Sequence, residues 1–362
     1  MDFDKIVEPI QEELKRFEKF YNEQLNSDIP LLNTVLRYLT KSSGKHLRST
    51  LVILTSSLFG DVTERTFIGA AMVEILHNAT LIHDDVVDES SERRGLLSVN
   101  AVWRNKIAVL VGDYLLAKGL MISVDNNEFD YLHITSQAVK TMSEGELLSL
   151  EASRKLDIRE EKYQEIIRKK TAVLMKASCE IGAIAANQPQ EVIAKIGEYG
   201  EKIGMAFQIR DDIFDYTQSK NIIGKPVGND LKEHKITLPL IYALNNSTKS
   251  EVKHILHLLK SKNIANKDIT YIIDFVKDKE KADTYRVDKI PAIVVLDSAN
   301  NDTGIKFYGL PGGYEINSFI KSLLETSGQK EELPEAVKSR ISAIKKDVHV
   351  QVFVTLSCPY CP

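Results

Sequence analysis

The sequence predicts an all-α helical bundle over residues 1–276, followed by a small, incomplete α/β segment over 277–362. Three observations carry that division. Apolar residues recur at three- and four-residue spacing through most of the first 276 positions. No compelling strand pattern interrupts them. Near Lys277 the chain turns charged (KDKEKADTYRVDK) and then alternates in short β-branched runs.

The helical spacing runs through 6–20, 31–39, 47–59, 67–87, 107–124, 131–150, 163–186 and 192–216. The breaks fall on turn-forming residues: Asn26-Ser27-Asp28, Ser42-Ser43-Gly44, Gly60-Asp61, Asp125-Asn126-Asn127 and Asn187-Gln188-Pro189. Past the boundary, 292–296 (AIVVL) and 304–308 (GIKFY) read as strands. Residues 314–324 read as a helix, and 348–356 (VHVQVFVTL) as a further strand.

Composition narrows the class. An apolar share of 43% is ordinary for a soluble globular protein. A net charge of −4 argues against a nucleic-acid partner bound through a broad basic surface. The N-terminus, MDFDKIVEPI, lacks the basic-then-apolar layout of a signal peptide. The apolar stretch 107–122 is interrupted by Asp113 and Lys118, which makes it a poor transmembrane span. Three cysteines do not form a disulfide framework in a chain this long, so a reducing cytoplasm is expected.

The chemistry is concentrated in two acidic motifs, DDVVD at 84–88 and DDIFD at 211–215. Each places its first and last Asp four residues apart, which on a helix brings both carboxylates to one face, about 5–6 Å apart at Cβ. One copy arises readily by chance. Two copies inside apolar helical runs are far rarer, because burying unpaired carboxylates is costly. Facing pairs would hold Mg²⁺, which prefers a few carboxylates together with substrate phosphates. The expected substrate therefore carries a diphosphate.

Basic residues stand near both motifs. Gly44-Lys45-His46-Leu47-Arg48 opens a helix whose N–H groups and dipole suit an anion; a basic helix start without a ligand is the plainer reading. Arg93 and Arg94 follow the first motif, as a phosphate-binding fork or as a solvated loop. Lys169, Lys170, Thr171 and Gln208 lie on later helical runs, and Lys225 and Lys235 follow the second motif; surface lysines are mostly solvated. His77 lies two turns before Asp84 on the same face, where a packing role is the more frequent one.

In this order the pieces resemble the trans-type isoprenyl (polyprenyl) diphosphate synthases over about residues 1–276. The resemblance rests on GKHLR (44–48), LIHDDVVDESSERRG (81–95), KKT (169–171), GMAFQIRDDIFDY (204–216) and GKPVGNDLKEHKITLP (224–239). It implies an isoprenoid synthase bundle with a central cavity, a homodimer and Mg²⁺ dependence. It also implies head-to-tail addition of isopentenyl diphosphate to an allylic diphosphate. By position, Lys45, Arg48, His77 and Arg94 would bind isopentenyl diphosphate. Asp84, Asp88 and Asp211 would hold the metal, supported by Asp85, Asp212 and Asp215. Arg93, Lys170, Thr171, Gln208, Lys225 and Lys235 would grip the allylic diphosphate. Thr80 and Ala79, four and five residues before Asp84, are small, which implies a product longer than farnesyl diphosphate, of the quinone side-chain type. Such a product would bring transient membrane contact at release.

The tail resembles part of a thioredoxin-like disulfide oxidoreductase. KIPAIVVLD (289–297), GLPGGYEINSFIKSLL (309–324) and VFVTLSCPYCP (352–362) carry that likeness, with Pro291 at its cis-proline position and Cys358/Cys361 at its C-x-x-C. The order is that of an incomplete unit, and the helix that would activate the first thiol does not follow. Two rival readings remain open: a class I terpene cyclase, against which DDIFD, Lys45 and Arg48 speak, and a redox or interaction module on a helical scaffold.

Overall fold

The computed structural model describes residues 3–41, 46–93, 95–157, 159–217, 228–261, 264–276, 292–297, 301–308, 315–326 and 335–342. The chain divides into two compact units. One is Val7–Val276; the other is Lys277–Pro362 together with Met1–Ile6.

The large unit is helical. After α1 (Phe3–Val7), of which Val7 alone belongs to this unit, it contains α2 (Gln11–Gln24), α3 (Pro30–Lys41), α4 (Leu47–Ser57) and α5 (Glu64–Val87). After a short hairpin come α6 (Val99–Asp125), α7 (Phe129–Lys155), α8 (Glu160–Ile167), a π-turn at Arg168–Ala172, α9 (Val173–Ala185) and α10 (Gln190–Thr217). The unit closes with α11 (Asn229–Lys232), α12 (Leu238–Asn245), α13 (Lys249–Leu259) and α14 (Asn266–Val276).

Helix α5 is the central element, packed against α2, α4, α6 and α9. Its residues from Thr66 to His77 are all buried, as expected of a helix apolar around most of its circumference. Met72, Ile75 and Leu76 meet Leu115 and Ile122 of α6, Val52 and Ile53 of α4, and Ile181 of α9 in one core. A second core joins the C-terminal end of α10 to α11–α14 through Tyr216, Leu231, Leu240, Ile272 and Phe275. The acidic motifs sit at these cores' edges: the first ends α5 and the second ends α10.

Helix α5 stops at Asp88, and Glu89 then adopts a left-handed φ of 50° that turns the chain out of the helix. A two-residue ladder follows, β1 (Glu92–Arg93) against β2 (Leu96–Leu97), pairing Glu92 with Leu97 and Arg93 with Leu96. Among the described residues this is the one departure from the strand-free reading of the first 276 positions. It is too short to leave an alternating pattern. The hairpin is tied down at both ends. The Tyr38 hydroxyl donates to the Leu97 carbonyl at 2.7 Å, and the Ser98 hydroxyl donates to the Ser90 carbonyl at 2.6 Å.

Among the described residues, α6 is the one helix long and apolar enough to cross a membrane. The interruptions at Asp113 and Lys118 do not remove it from that class. It lies along α5, with Ala108, Val111, Leu115 and Ile122 buried.

In the smaller unit, β3 (Ala292–Leu296) pairs antiparallel with β4 (Asp302–Tyr308), with a register irregularity between Val294 and Leu296. Helix α15 (Glu315–Thr326) packs on this pair, placing Phe319 edge-on to Phe307 at 5.4 Å. Helix α16 (Glu335–Ser342) follows. Pro291, the strand expected at 348–356, Cys358 and Cys361 lie outside the described residues.

Candidate active site

A cleft of about 120 Å³ opens between α7, α8, the π-turn, α10 and the segment after α11. Lys170, Thr171, Gln208, Asp212 and Lys235 line it, joined by Tyr163 and Asp230, which sequence reasoning missed. Ile166, Ile167 and Ile236 supply an apolar wall.

The second motif shapes this cleft. Asp212 is buried, and both of its oxygens are engaged: Tyr163 donates to Oδ2 at 2.6 Å and Gln208 donates to Oδ1 at 2.7 Å. Thr171 in turn donates to Gln208 Oε1 at 2.7 Å, so one hydrogen-bonded chain links the π-turn, α10 and α8. Burial pushes the Asp212 carboxyl up to about 6, against the Tyr163 and Gln208 hydrogen bonds. Asp215 accepts the backbone N–H groups of Asn229 and Asp230, each at 3.1 Å, and so fixes the return of the chain after the second motif. Burial raises the Asp215 carboxyl despite those bonds. Asp211 is the exposed member, with its Oδ1 3.4 Å from Arg210 Nη2.

The first motif borders the same cleft through lysines. Lys235 Nζ lies 3.8 Å from Asp88 Oδ2 and also contacts Glu233. Burial disfavours the Lys235 ammonium, but Glu233, Asp88 and Asp230 outweigh burial and hold its pKa above the ordinary value. Lys170 pairs with Glu146 of α7, and its charge acts on Asp84. The Asp84 carboxyl is raised, first by burial and then by Glu146 and Asp88. Asp85 points to the hairpin: it is buried, and its Oδ1 accepts from Arg93 Nε and lies 2.7 Å from Arg93 Nη2. Asp230 is the most perturbed acid of the cleft, raised to about 7 by burial and by Asp215 and Asp212.

Two glycines let neighbouring helices pack closely on the π-turn. A Cβ on Gly145 of α7 would lie 2.9 Å from the Lys170 backbone nitrogen. One on Gly204 of α10 would lie 2.5 Å from Ala172 Cα. The extra residue in the turn aims both Lys170 and Thr171 into the cleft.

A second cationic group forms at the start of α4. Arg48 Nη1 lies 2.9 Å from His77 Nε2, joining two residues 29 positions apart. Ala79 is buried in the core beside this region, and Thr80 donates to the His77 carbonyl at 2.8 Å. Lys45, Arg94 and Lys225 lie outside the described residues. Among the described residues no three acidic or other metal-ligating side chains converge on one point. Asp84, Asp88 and Asp211 therefore do not form a closed metal cage by themselves.

The chain is similar to several known proteins. The Polyprenyl synthetase family model matches residues 29–276. The octaprenyl diphosphate synthase of Escherichia coli K12 is 35% identical over 73% of this chain and 81% of its own. A short chain isoprenyl diphosphate synthase of Methanocaldococcus jannaschii is 36% identical over 76% of this chain and 84% of its own. The crystal structure of a polyprenyl synthase from Caulobacter crescentus CB15, complexed with calcium and isoprenyl diphosphate, superposes with a TM-score of 0.73 at 31% identity, covering 78% of this chain and 86% of that one. The helical fold, the paired acidic motifs and these matches together make this chain a member of the polyprenyl synthetase family.

Proposed function

We propose that this prenyl-transferring enzyme joins isopentenyl diphosphate to an allylic diphosphate, head to tail and in the trans geometry. The observation that carries the reading is a cleft lined by Lys170, Lys235 and second-motif Asp212, where Lys235 Nζ also lies 3.8 Å from Oδ2 of first-motif Asp88 and the charge of Lys170 acts on Asp84. Arg93, oriented by Asp85, adds a planar cation beside the first motif.

The acids fit a divalent cation. Asp84 is destabilised as an anion by burial and by neighbouring acids, so added positive charge would relieve it. Magnesium binds through one or two carboxylates plus substrate phosphates, and needs no protein cage. Asp84, Asp88 and Asp211 are the residues we assign to it. When bound, Mg²⁺ would neutralise the diphosphate oxygens as they take up charge.

The chain's own groups do the rest. Lys170, Lys235 and Arg93 stabilise the departing diphosphate electrostatically. Thr171 and Gln208 orient it. The isoleucine wall keeps water from the allylic cation. Arg48 and His77, together with Lys45 and Arg94, hold isopentenyl diphosphate so that its double bond attacks that cation; the released diphosphate takes the proton. The Arg48–His77 pair supports a second diphosphate site, which a terpene cyclase does not need.

Small Ala79 and Thr80 support a product longer than farnesyl diphosphate. The homodimer reading is supported by α6, where Val102, Val109, Leu110, Met121 and Val124 form an exposed apolar stripe.

The test is incubation with Mg²⁺, farnesyl diphosphate and labelled isopentenyl diphosphate, followed by sizing of the products. Label in chains beyond fifteen carbons is expected; no incorporation by folded protein defeats the reading. Ala79→Tyr should shorten the products, and an unchanged length removes Ala79 from the assignment.

A further inference from the structure

Glu74 is a buried carboxylate with no place in the cleft. It stands on α5 three residues before His77, on the same face of that helix. Its two oxygens have separate partners. Oε1 lies 3.0 Å from His46 Nδ1. Oε2 accepts the Ser49 hydroxyl at 3.0 Å and the Ser49 backbone N–H at 3.4 Å. Ser49 belongs to the first turn of α4, so Glu74 caps that helix from a neighbouring one.

His46 is the N-cap of α4 and adopts a left-handed φ of 46°. A non-glycine residue held there costs free energy and persists where its surroundings fix it. Here the surroundings are the Glu74 carboxylate and the Tyr21 ring, edge-on at 5.8 Å. Two residues further along, Arg48 meets His77. Glu74 thus touches His46 and Ser49, on either side of Arg48 along α4, and stands one turn before His77 on α5. Burial alone would raise the Glu74 carboxyl; His46, His77 and Arg48 instead bring it down to about 2, so it stands as a fixed anion beneath a cationic edge.

We propose that Glu74 is a positioning residue: it locks His46 and the first turn of α4, and thereby sets Arg48 against His77 in the geometry that receives the diphosphate of the non-allylic substrate. The inference rests on the assignment of Arg48 and His77 made above. A brace that served folding alone would affect both substrates equally. A positioning residue at one of two diphosphate sites affects one.

The experiment is steady-state kinetics of Glu74→Gln with each diphosphate varied in turn, alongside its thermal midpoint. The substitution keeps the side chain's shape and removes its charge. The KM for isopentenyl diphosphate is expected to rise about tenfold, with the KM for the allylic diphosphate within about twofold of wild type. An unchanged KM for isopentenyl diphosphate, or an equal rise for both substrates, overturns the proposal. Should Glu74→Gln not fold, His46→Gln, at a partly buried position, carries the same test with the same two outcomes. Incorporation of label by the wild-type enzyme reports separately on the underlying reading.

Discussion

The Tyr163 hydroxyl donates a 2.6 Å hydrogen bond to Asp212 Oδ2, tying α8 to the second acidic motif. With Gln208 on the other oxygen, Asp212 has a donor on each side and is suited to shaping the cleft wall. Exposed Asp211 beside it is suited to reaching metal. Removing a donor from a charged, buried acceptor costs about 1.5–3 kcal/mol. Tyr163→Phe is therefore expected to lower kcat/KM for the allylic diphosphate about ten- to a hundredfold. A circular dichroism spectrum should stay that of the wild type. Unchanged kinetics would mean that Tyr163 only packs.

Gly204 predicts a steric result. A methyl group there would meet Ala172 Cα at 2.5 Å, a backbone atom that cannot swing aside. Gly204→Ala should cost about 1–3 kcal/mol through overpacking and displace Lys170 and Thr171 with the π-turn. Chemical denaturation should show the loss, and turnover should fall with it. Retained stability would show that the turn has room to move.

Asp230 predicts a pH dependence. Its carboxyl is raised from 3.8 to about 7, so between those values the folded chain holds a proton that the unfolded chain has lost. Stability contributed by that proton is present below about pH 4 and is lost as pH rises through 7. Asp230→Asn should thus raise the thermal midpoint at pH 8 by roughly 2–4 °C per kcal/mol recovered. The gain should shrink at pH 5, and an equal gain at both values would argue against titration of Asp230.

Arg104 interrupts α6 with φ 69° and ψ 160°, a conformation that suits glycine. Arg104→Gly relieves about 1–3 kcal/mol of strain and incurs up to about 1 kcal/mol of extra chain entropy. The net expectation is a higher denaturation midpoint with turnover unchanged. A lower midpoint would show that the Arg104 side chain contributes more than its backbone loses.

Much of this was legible in the sequence. The two acidic motifs could be read because carboxylates inside apolar helical runs are costly and therefore conspicuous. The helices could be read because their apolar residues keep one period. The π-turn could not, since 163–186 reads as one uninterrupted helix, and the glycines that pack on the turn, Gly145 and Gly204, lie far from it in sequence. Tyr163 and Glu74 carry no motif. Tyr163 meets Asp212 across 49 positions and Glu74 meets Ser49 across 25, so only folding reveals them. Asp230 gave one faint signal, an acid among Gly228, Asn229 and Lys232 just after the second motif.

The central claim is that the first motif helps to pull diphosphate from an allylic substrate. Its most direct measurement is single-turnover release of pyrophosphate from allylic diphosphate by wild type and by Asp84→Asn, with Mg²⁺ and isopentenyl diphosphate present. The substitution removes a charge whose carboxyl is already raised by burial, so folding should be retained. Release by the wild type and a drop of about a hundredfold or more in the variant are expected. Equal rates in the two proteins would contradict the account.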